Sequence, residues 1–587
     1  MLESRRCVSR STCITRALLW FAVLAAVFSP SCLATPSNPV PYIDIVSPAS
    51  VHPGVTGVTL TVFGANFVTS SIVRWNGIAL TTTFVSSKEL TAEVPDSLVA
   101  AVGLGAITVV SPAPGGGISN VGYFPVASFE ATPTFPGTPS STIALGLGTM
   151  PQGIITADFN GDGILDLAVA DKGTNTVSIL LGNGDGTFTA TLQSPLAAGS
   201  GANWLVAGDF NEDGNIDLAV ANVTDTGTSG VSIFFGDGTG AFTLHASFPT
   251  GGLPFGVATA DFNKDGHLDL AVSNSGDGTI TVLLGDGAGA FTPGGTLSVG
   301  IGPQVVVVGD FDEDGSLDLA VANETDGSVS ILFGDGSGGF SAQRVISTGG
   351  TGSPIGLIAA DLEGNGHLDL AAVNASDVAI LSNNPVGTFT LIGNPMTGSG
   401  DLIAGVAGDY NGDGKVDLVV SDRGAGEAFL ILGDVTAASP TILTFTTAPG
   451  SFGVATADFN GDGALDLAFA NGTADNVSIF LQQLPVSLAP TSLAFGNQIV
   501  TTTSAAKGVT LTNNDGGPLN ISSITIKSAT GDFTETNDCP ASLASGASCT
   551  IKVTFKASAR YQEQGAVHVS DDGPLGGQNL YLVGRGK

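Results

Sequence analysis

Seven short stretches of this 587-residue chain gather oxygen-bearing side chains at one fixed spacing. The first reads DFNGDGILD, from Asp158 to Asp166. Numbered from its leading Asp, each stretch places side-chain oxygen at positions one, three, five and nine. Along the chain the sets are Asp158, Asn160, Asp162 and Asp166, then Asp209, Asn211, Asp213 and Asp217, then Asp261, Asn263, Asp265 and Asp269. The fourth is Asp310, Asp312, Asp314 and Asp318, and the fifth is Asp361, Glu363, Asn365 and Asp369. The last two are Asp409, Asn411, Asp413 and Asp417, and Asp458, Asn460, Asp462 and Asp466. The position-seven carbonyls, on Ile164, Asn215, His267, Ser316, His367, Lys415 and Ala464, are free to join them. Alternating hard-oxygen ligands, with no Cys or His side chain among them, suit Ca2+ rather than a softer metal.

Position six is Gly in every copy, which lets the backbone turn sharply around an ion, and position eight is always apolar, which pins the loop to a core. Position 12, Val169 in the first copy, belongs to a strand, so there is no bidentate Glu and the loop is a compressed relative of the EF-hand loop. The alternative is an Asx-rich turn without metal. Carboxylates converging without a cation repel one another, so about six to seven Ca2+ ions are expected. The fifth loop is the weakest, because Glu363 and Asn365 replace the usual Asn and Asp. Paired acids also suit a glycosidase, but seven equivalent copies argue against a single active site.

The loops recur with spacings of 51, 52, 49, 51, 48 and 49 residues, the signature of an array or propeller. Each unit reads as a strand leading into the loop, an apolar strand leaving it, a third strand such as TVSILLG, a Gly-rich turn and a weaker fourth strand. Four strands per repeat describes a propeller blade. The seventh copy stops after its third strand, at NVSIFLQQLP (476–485), while an orphan fourth-strand segment (128–146) precedes the first copy. Joining the two closes a ring and removes exposed strand edges. The expected fold is all-β: a seven-bladed β-propeller over 127–485, flanked by β-sandwich domains at 41–126 and 486–587.

Residues 1–34 read as a signal peptide. Arg5, Arg6, Arg10 and Arg16 precede the apolar run Ala17–Phe28, with small residues before a cleavage point after Ala34. Twelve apolar residues are too few to span a bilayer, and no second long apolar run follows, so no membrane span is expected in the mature chain. Removing the segment leaves Cys539 and Cys549, an even pair in an oxidising compartment, and one disulfide is expected. The 52 acids outnumber the 18 bases by 34, a charge that repels nucleic acid and anionic membranes.

The repeats resemble FG-GAP/VCBS-type repeats, as in the propeller of integrin α subunits; PFGVATADFNKDGHLDLAV (254–272) and SFGVATADFNGDGALDLAF (451–469) carry the likeness. The resemblance implies Ca2+ in the loop between a blade's first two strands and an adhesive or ligand-binding role. Residues 41–126 resemble an IPT/TIG immunoglobulin-like domain through GANF (64–67), VRWNG (73–77) and AEVP (92–95). Residues 486–587 resemble a Hydin-type immunoglobulin-like domain through LAFGNQIV and GASCTIKVTF, a family in which the two cysteines commonly pair. Both flanks are expected to be generic spacers.

Thirteen residues after each leading Asp stands an Asx: Asp171, Asn222, Asn274, Asn323, Asn374, Asp422 and Asn471. These are expected to start turns on the face opposite the loops, where variable connections such as 222–230 and 422–428 would bind an extracellular glycan or protein. The alternative is an extracellular polysaccharide-degrading enzyme, a lyase or glycosidase. Between 127 and 485 such an enzyme has only Lys172, Lys264, Arg344, Lys415, Arg423, His245, His267, His367 and Tyr410 from which to build a site. A non-catalytic scaffold is the expected function.

Overall fold

The computed structural model describes residues 37–587 apart from 101–102, 127–132, 224–229, 350–352, 398–399, 434–439, 491, 516, 529–530, 561 and 574–577; the expected signal peptide lies outside the described residues. The described chain is almost entirely β-structure, with one short 3-10 turn at Asp96–Leu98. No helix among the described residues is long and apolar enough to cross a membrane.

The N-terminal module is a two-sheet sandwich. One sheet orders Tyr42–Ser47, Thr59–Ala65, Glu89–Glu93 and Thr81–Ser86; the other is built on Ile72–Trp75 and Gly103–Ser111. Period-two alternation turns Leu60, Val62, Val73, Trp75, Ile107, Val109 and Phe124 inward into one core. Residues 486–587 make a second sandwich, in which Cys539 and Cys549 form the expected disulfide.

Between them lie seven antiparallel sheets, six of them with strands in chain order. Their first strands are Pro151–Ala157, Ala202–Gly208, Pro254–Ala260, Pro303–Gly309, Pro354–Ala360, Leu402–Gly408 and Ser451–Ala457. Each first strand ends at its loop, and the second strand, such as Asp166–Asp171, leaves it fully buried. Strands buried on both faces read as continuous apolar runs, here DLAVAD and DLAVAN. The seventh sheet takes its fourth strand from before the first repeat: Ser141–Ala144 pairs with Asn476–Ile479. Successive first strands pack against one another in chain order, and the seventh packs against the first.

Aromatic pairs repeat at five of the seven junctions. The residue after the leading Asp meets, edge to face, the aromatic of the next sheet's Gly-rich turn: Phe159 on Phe242, Phe210 on Phe291, Phe262 on Phe340 and Phe311 on Phe389, with centroids 5.5 to 5.9 Å apart. The same pair joins the seventh sheet to the first, Phe459 on Phe188 at 5.4 Å. Each such pair contributes about 0.5–1.5 kcal/mol beyond its burial. Nearer the opposite face, Phe255 of the third sheet stacks on Trp204 of the second at 6.2 Å and reaches Phe452 of the seventh at 6.3 Å.

Candidate metal centre

All seven loops fold on one plan. The leading Asp accepts the N–H of the position-six Gly, as in Gly163 to Asp158 at 2.8 Å, and the same bond recurs at Asp209, Asp261, Asp310, Asp361, Asp409 and Asp458. The Gly is required, because its φ lies between +81° (Gly414) and +92° (Gly266), a region that L side chains rarely adopt. Position five accepts the N–H of position seven, Ile164 to Asp162 at 2.8 Å, and position three bonds position five, Asn160 Nδ2 to Asp162 at 3.0 Å. These bonds turn the oxygens of positions one, three and five toward one another. In the fourth loop one carboxylate oxygen from each of Asp310, Asp312 and Asp314 lies within 4.8 Å of the other two.

The position-nine Asp does a second job that the pattern of ligands did not reveal. One of its oxygens accepts the N–H of position two and the other accepts a backbone N–H at the end of the third strand. For Asp166 these donors are Phe159 and Gly182, both at 2.8 Å, and all seven copies repeat the arrangement. The residue therefore knots the loop to the third strand. Burial pushes these carboxyls up, against the pull of the two N–H donors, and neighbouring carboxylates push further: to about 6 in Asp166, about 7 in Asp217 and Asp417, and about 8 in Asp269 and Asp318. A cation among them would remove that repulsion.

In the fifth loop Glu363 turns to Ser382 and to Asn365 Nδ2, so its carboxylate is engaged with the sheet. The side chain at position seven, expected to contribute only its carbonyl, reaches position four of the loop before. His267 pairs with Glu212, His367 with Glu313 at 2.5 Å, and Ser316 with Lys264 at 3.2 Å. Adjacent loops are thereby laced together.

Turns start at the Asx ring as expected, the Gly278 N–H donating to the Asn274 carbonyl at 3.1 Å. The side chains themselves are buried: Asn274 and Asn323 are 0% exposed, and their Nδ2 atoms donate to hydroxyls of the third strand, Thr281 and Ser330 at 2.9 Å, which leaves them unavailable to a partner. The surface of that face is instead pinned by acids the sequence did not single out. Asp277, Asp326 and Asp475, in the turns after the second strand, accept the N–H groups of Gly252, Ile301 and Met150.

The N-terminal sandwich, expected to be a spacer, is docked on the loop face. Val40 N–H donates to Asp261 at 2.8 Å, and Asn66 Nδ2 to the Asp261 carbonyl at 3.1 Å. Gly266 and Gly463 lie so close to Asn38 and Gly103 that an added Cβ would come within 2.4 and 2.5 Å of them. A cavity of about 1890 Å³ remains between this sandwich and the ends of the first strands, with Asp209, Glu212, Asp213, Asp361 and Glu363 among its lining residues. The C-terminal sandwich touches the N-terminal one, Asn579 Nδ2 donating to the Ala100 carbonyl at 2.6 Å.

The model of the FG-GAP-like repeat matches residues 158–469 in six overlapping stretches, more than half of the chain. The chain belongs to the FG-GAP-like repeat family. The model of the IPT/TIG domain matches residues 41–124. No curated protein matches this FG-GAP-like chain. Among solved structures it is similar to a Lactobacillus plantarum protein, at 17% identity over 65% of this chain and 98% of that one, with a TM-score of 0.40. It is also similar to an Agrocybe aegerita lectin specific for non-reducing terminal N-acetylglucosamine, at 19% identity over 62% and 93% of the two chains and a TM-score of 0.37. An auxiliary nutrient-binding protein of Bacteroides ovatus matches at 12% identity over 77% and 100%, with a TM-score of 0.33. Scores of this size carry no functional argument.

Proposed function

We propose that the seven sheets close as a seven-bladed β-propeller, stapled by Ca2+ in its loops, and that the chain is an exported, non-catalytic scaffold for an extracellular glycan or protein. The observation that carries the closed ring is the Phe459–Phe188 pair, which repeats at the seventh-to-first junction the contact made between consecutive sheets. The shared seventh sheet supports it too. Closure completes the seventh sheet and leaves only the short outer strand of each sheet as an edge.

Export is supported by the Cys539–Cys549 disulfide, since such bonds persist in oxidising compartments. The C-terminal sandwich is assigned to the Hydin-type immunoglobulin-like class on its sequence motifs. A non-catalytic role is supported by how the scarce cations are used. Arg344 donates to the Gly387 carbonyl at 2.8 Å, Arg423 pairs with Asp401 at 2.6 Å, and both loop histidines are paired with Glu. Recognition belongs on the face opposite the loops, because the N-terminal sandwich occupies much of the loop face.

Binding of the full-length protein to immobilised glycan and protein panels, with and without chelator, tests this reading. Retained panel binding after replacement of 422–428 and of the other opposite-face connections would overturn the assignment of the face. Turnover of a bound glycan would overturn the non-catalytic role.

A further inference from the structure

The fourth loop differs from the other six in what its leading carboxylate does. In those six, Oδ1 of position one accepts a backbone N–H from position four or five, as Asp158 does from Gly161 at 2.8 Å and Asp458 from Asp462 at 3.1 Å. Asp310 keeps the Gly315 N–H on Oδ2, but its Oδ1 is buried with no partner, in a residue only 5% exposed. Beside it stand Asp312 and Asp314, where most loops place an Asn and an Asp. Among the described residues this is the one group of three carboxylates that bring one oxygen each within 4.8 Å of one another.

The N-terminal sandwich brings a further carboxylate to the same place. Asp44, on the strand Tyr42–Ser47, approaches the Asp310 N–H through Oδ2 at 3.4 Å, and its Oδ1 is likewise buried without a partner. On the neighbouring loop residue, Lys88 of the sandwich bonds the Glu313 carbonyl. Three carboxylates thus gather with Asp44 beside the first of them across a domain junction, and the cations near them are Lys88 and, at Asp312, Arg344. Like charges at a poorly solvated junction repel, and unpaired buried carboxylate oxygens are costly. A divalent cation resolves both.

We propose that the fourth loop and the N-terminal sandwich share one divalent cation, held by Asp310, Asp312 and Asp314, with Asp44 contributing carboxylate charge from the sandwich. The proposal rests on the reading of the loops as Ca2+ sites. Ligand charge tunes affinity in such sites, so this one is the tightest of the seven. Binding and docking are then linked, and each strengthens the other by the same factor. Asp44 is a positioning residue for the junction, and the fourth loop doubles as a cation-dependent clamp.

The test is a calorimetric Ca2+ titration of the full chain, paired with limited proteolysis between the sandwich and the repeats as a measure of docking. Asp44→Asn keeps an acceptor for the Asp310 N–H and removes only charge. It is expected to leave the number of sites unchanged and to weaken the tightest by about 10–100-fold. Cleavage should then occur at Ca2+ concentrations that protect the parent. Asp312→Asn, placed in the repeats and so unable to unfold the sandwich directly, should cause the same early release. A parent that binds no Ca2+ overturns the loop reading and the shared site with it. A parent that binds Ca2+ while both variants titrate and resist protease like the parent overturns the shared site alone.

Discussion

Replacing Asp171 with asparagine should make the repeats more stable, and only above a definite pH. Asp171 ends the second strand of the first sheet, where it is 0% exposed; its Oδ2 accepts Ser178 Oγ at 2.7 Å and its Oδ1 has no partner. Burial raises its carboxyl to about 7, against the pull of the Ser178 and Thr176 hydroxyls. A carboxyl whose folded value exceeds its unfolded value favours folding most below about pH 4 and loses that contribution as pH rises through about 7. The shift of about three units corresponds to about 4 kcal/mol at full ionisation, and relaxation around the site brings the expected gain to about 2–4 kcal/mol at pH 8. Five of the seven copies already carry Asn there, and in Asn323 and Asn471 the amide donates to the equivalent Ser at 2.9 Å. The amide of the Asp171→Asn variant would therefore keep the Ser178 bond with its direction reversed. Urea denaturation of parent and variant at pH 4.5 and pH 8, followed through the transition of the repeats, measures the difference. A gap of the same size at both values, or a less stable variant at pH 8, would refute the reasoning.

Other perturbations probe the staples and the ring. Chelation should lower the melting temperature of the repeats, and an unchanged melt would remove Ca2+ from the account. Gly163→Ala places a Cβ that meets nothing within 4 Å, so its cost, about 1–2 kcal/mol, comes from the backbone at φ +86° alone and should appear with the loss of one Ca2+ in titration. Phe459→Ala should cost about 3–5 kcal/mol, as much as Phe210→Ala at an internal junction. A much smaller loss at Phe459, measured by thermal denaturation, would mean that the array is open. Cys539→Ser with Cys549→Ser opens a loop of sequence separation 10 and should weaken the C-terminal sandwich by about 2–3 kcal/mol, leaving the melt of the repeats unmoved.

The sequence by itself determined the features whose signals are local. Alternation of apolar residues, Gly at position six and Asx at turn starts each act within a few residues, so the strands, the seven loops and the incomplete seventh repeat were legible. So was the pairing of Cys539 with Cys549, because only two cysteines lie beyond residue 34. Tertiary structure decided what depends on partners distant in the chain. The position-nine Asp looks like one more ligand until the third strand brings Gly182 to its second oxygen. The side chains of His267 and His367 become ties between loops only when neighbouring sheets align them with Glu212 and Glu313. The Asx ring reads only as a set of turn starts until the third-strand hydroxyls are set beside it. Asp312 gives the fourth loop a carboxylate where most loops have Asn, but nothing local marks it as the place where Asp44 arrives from 266 residues away. Docking depends on the shape and charge of two finished surfaces, and those exist only once both domains have folded.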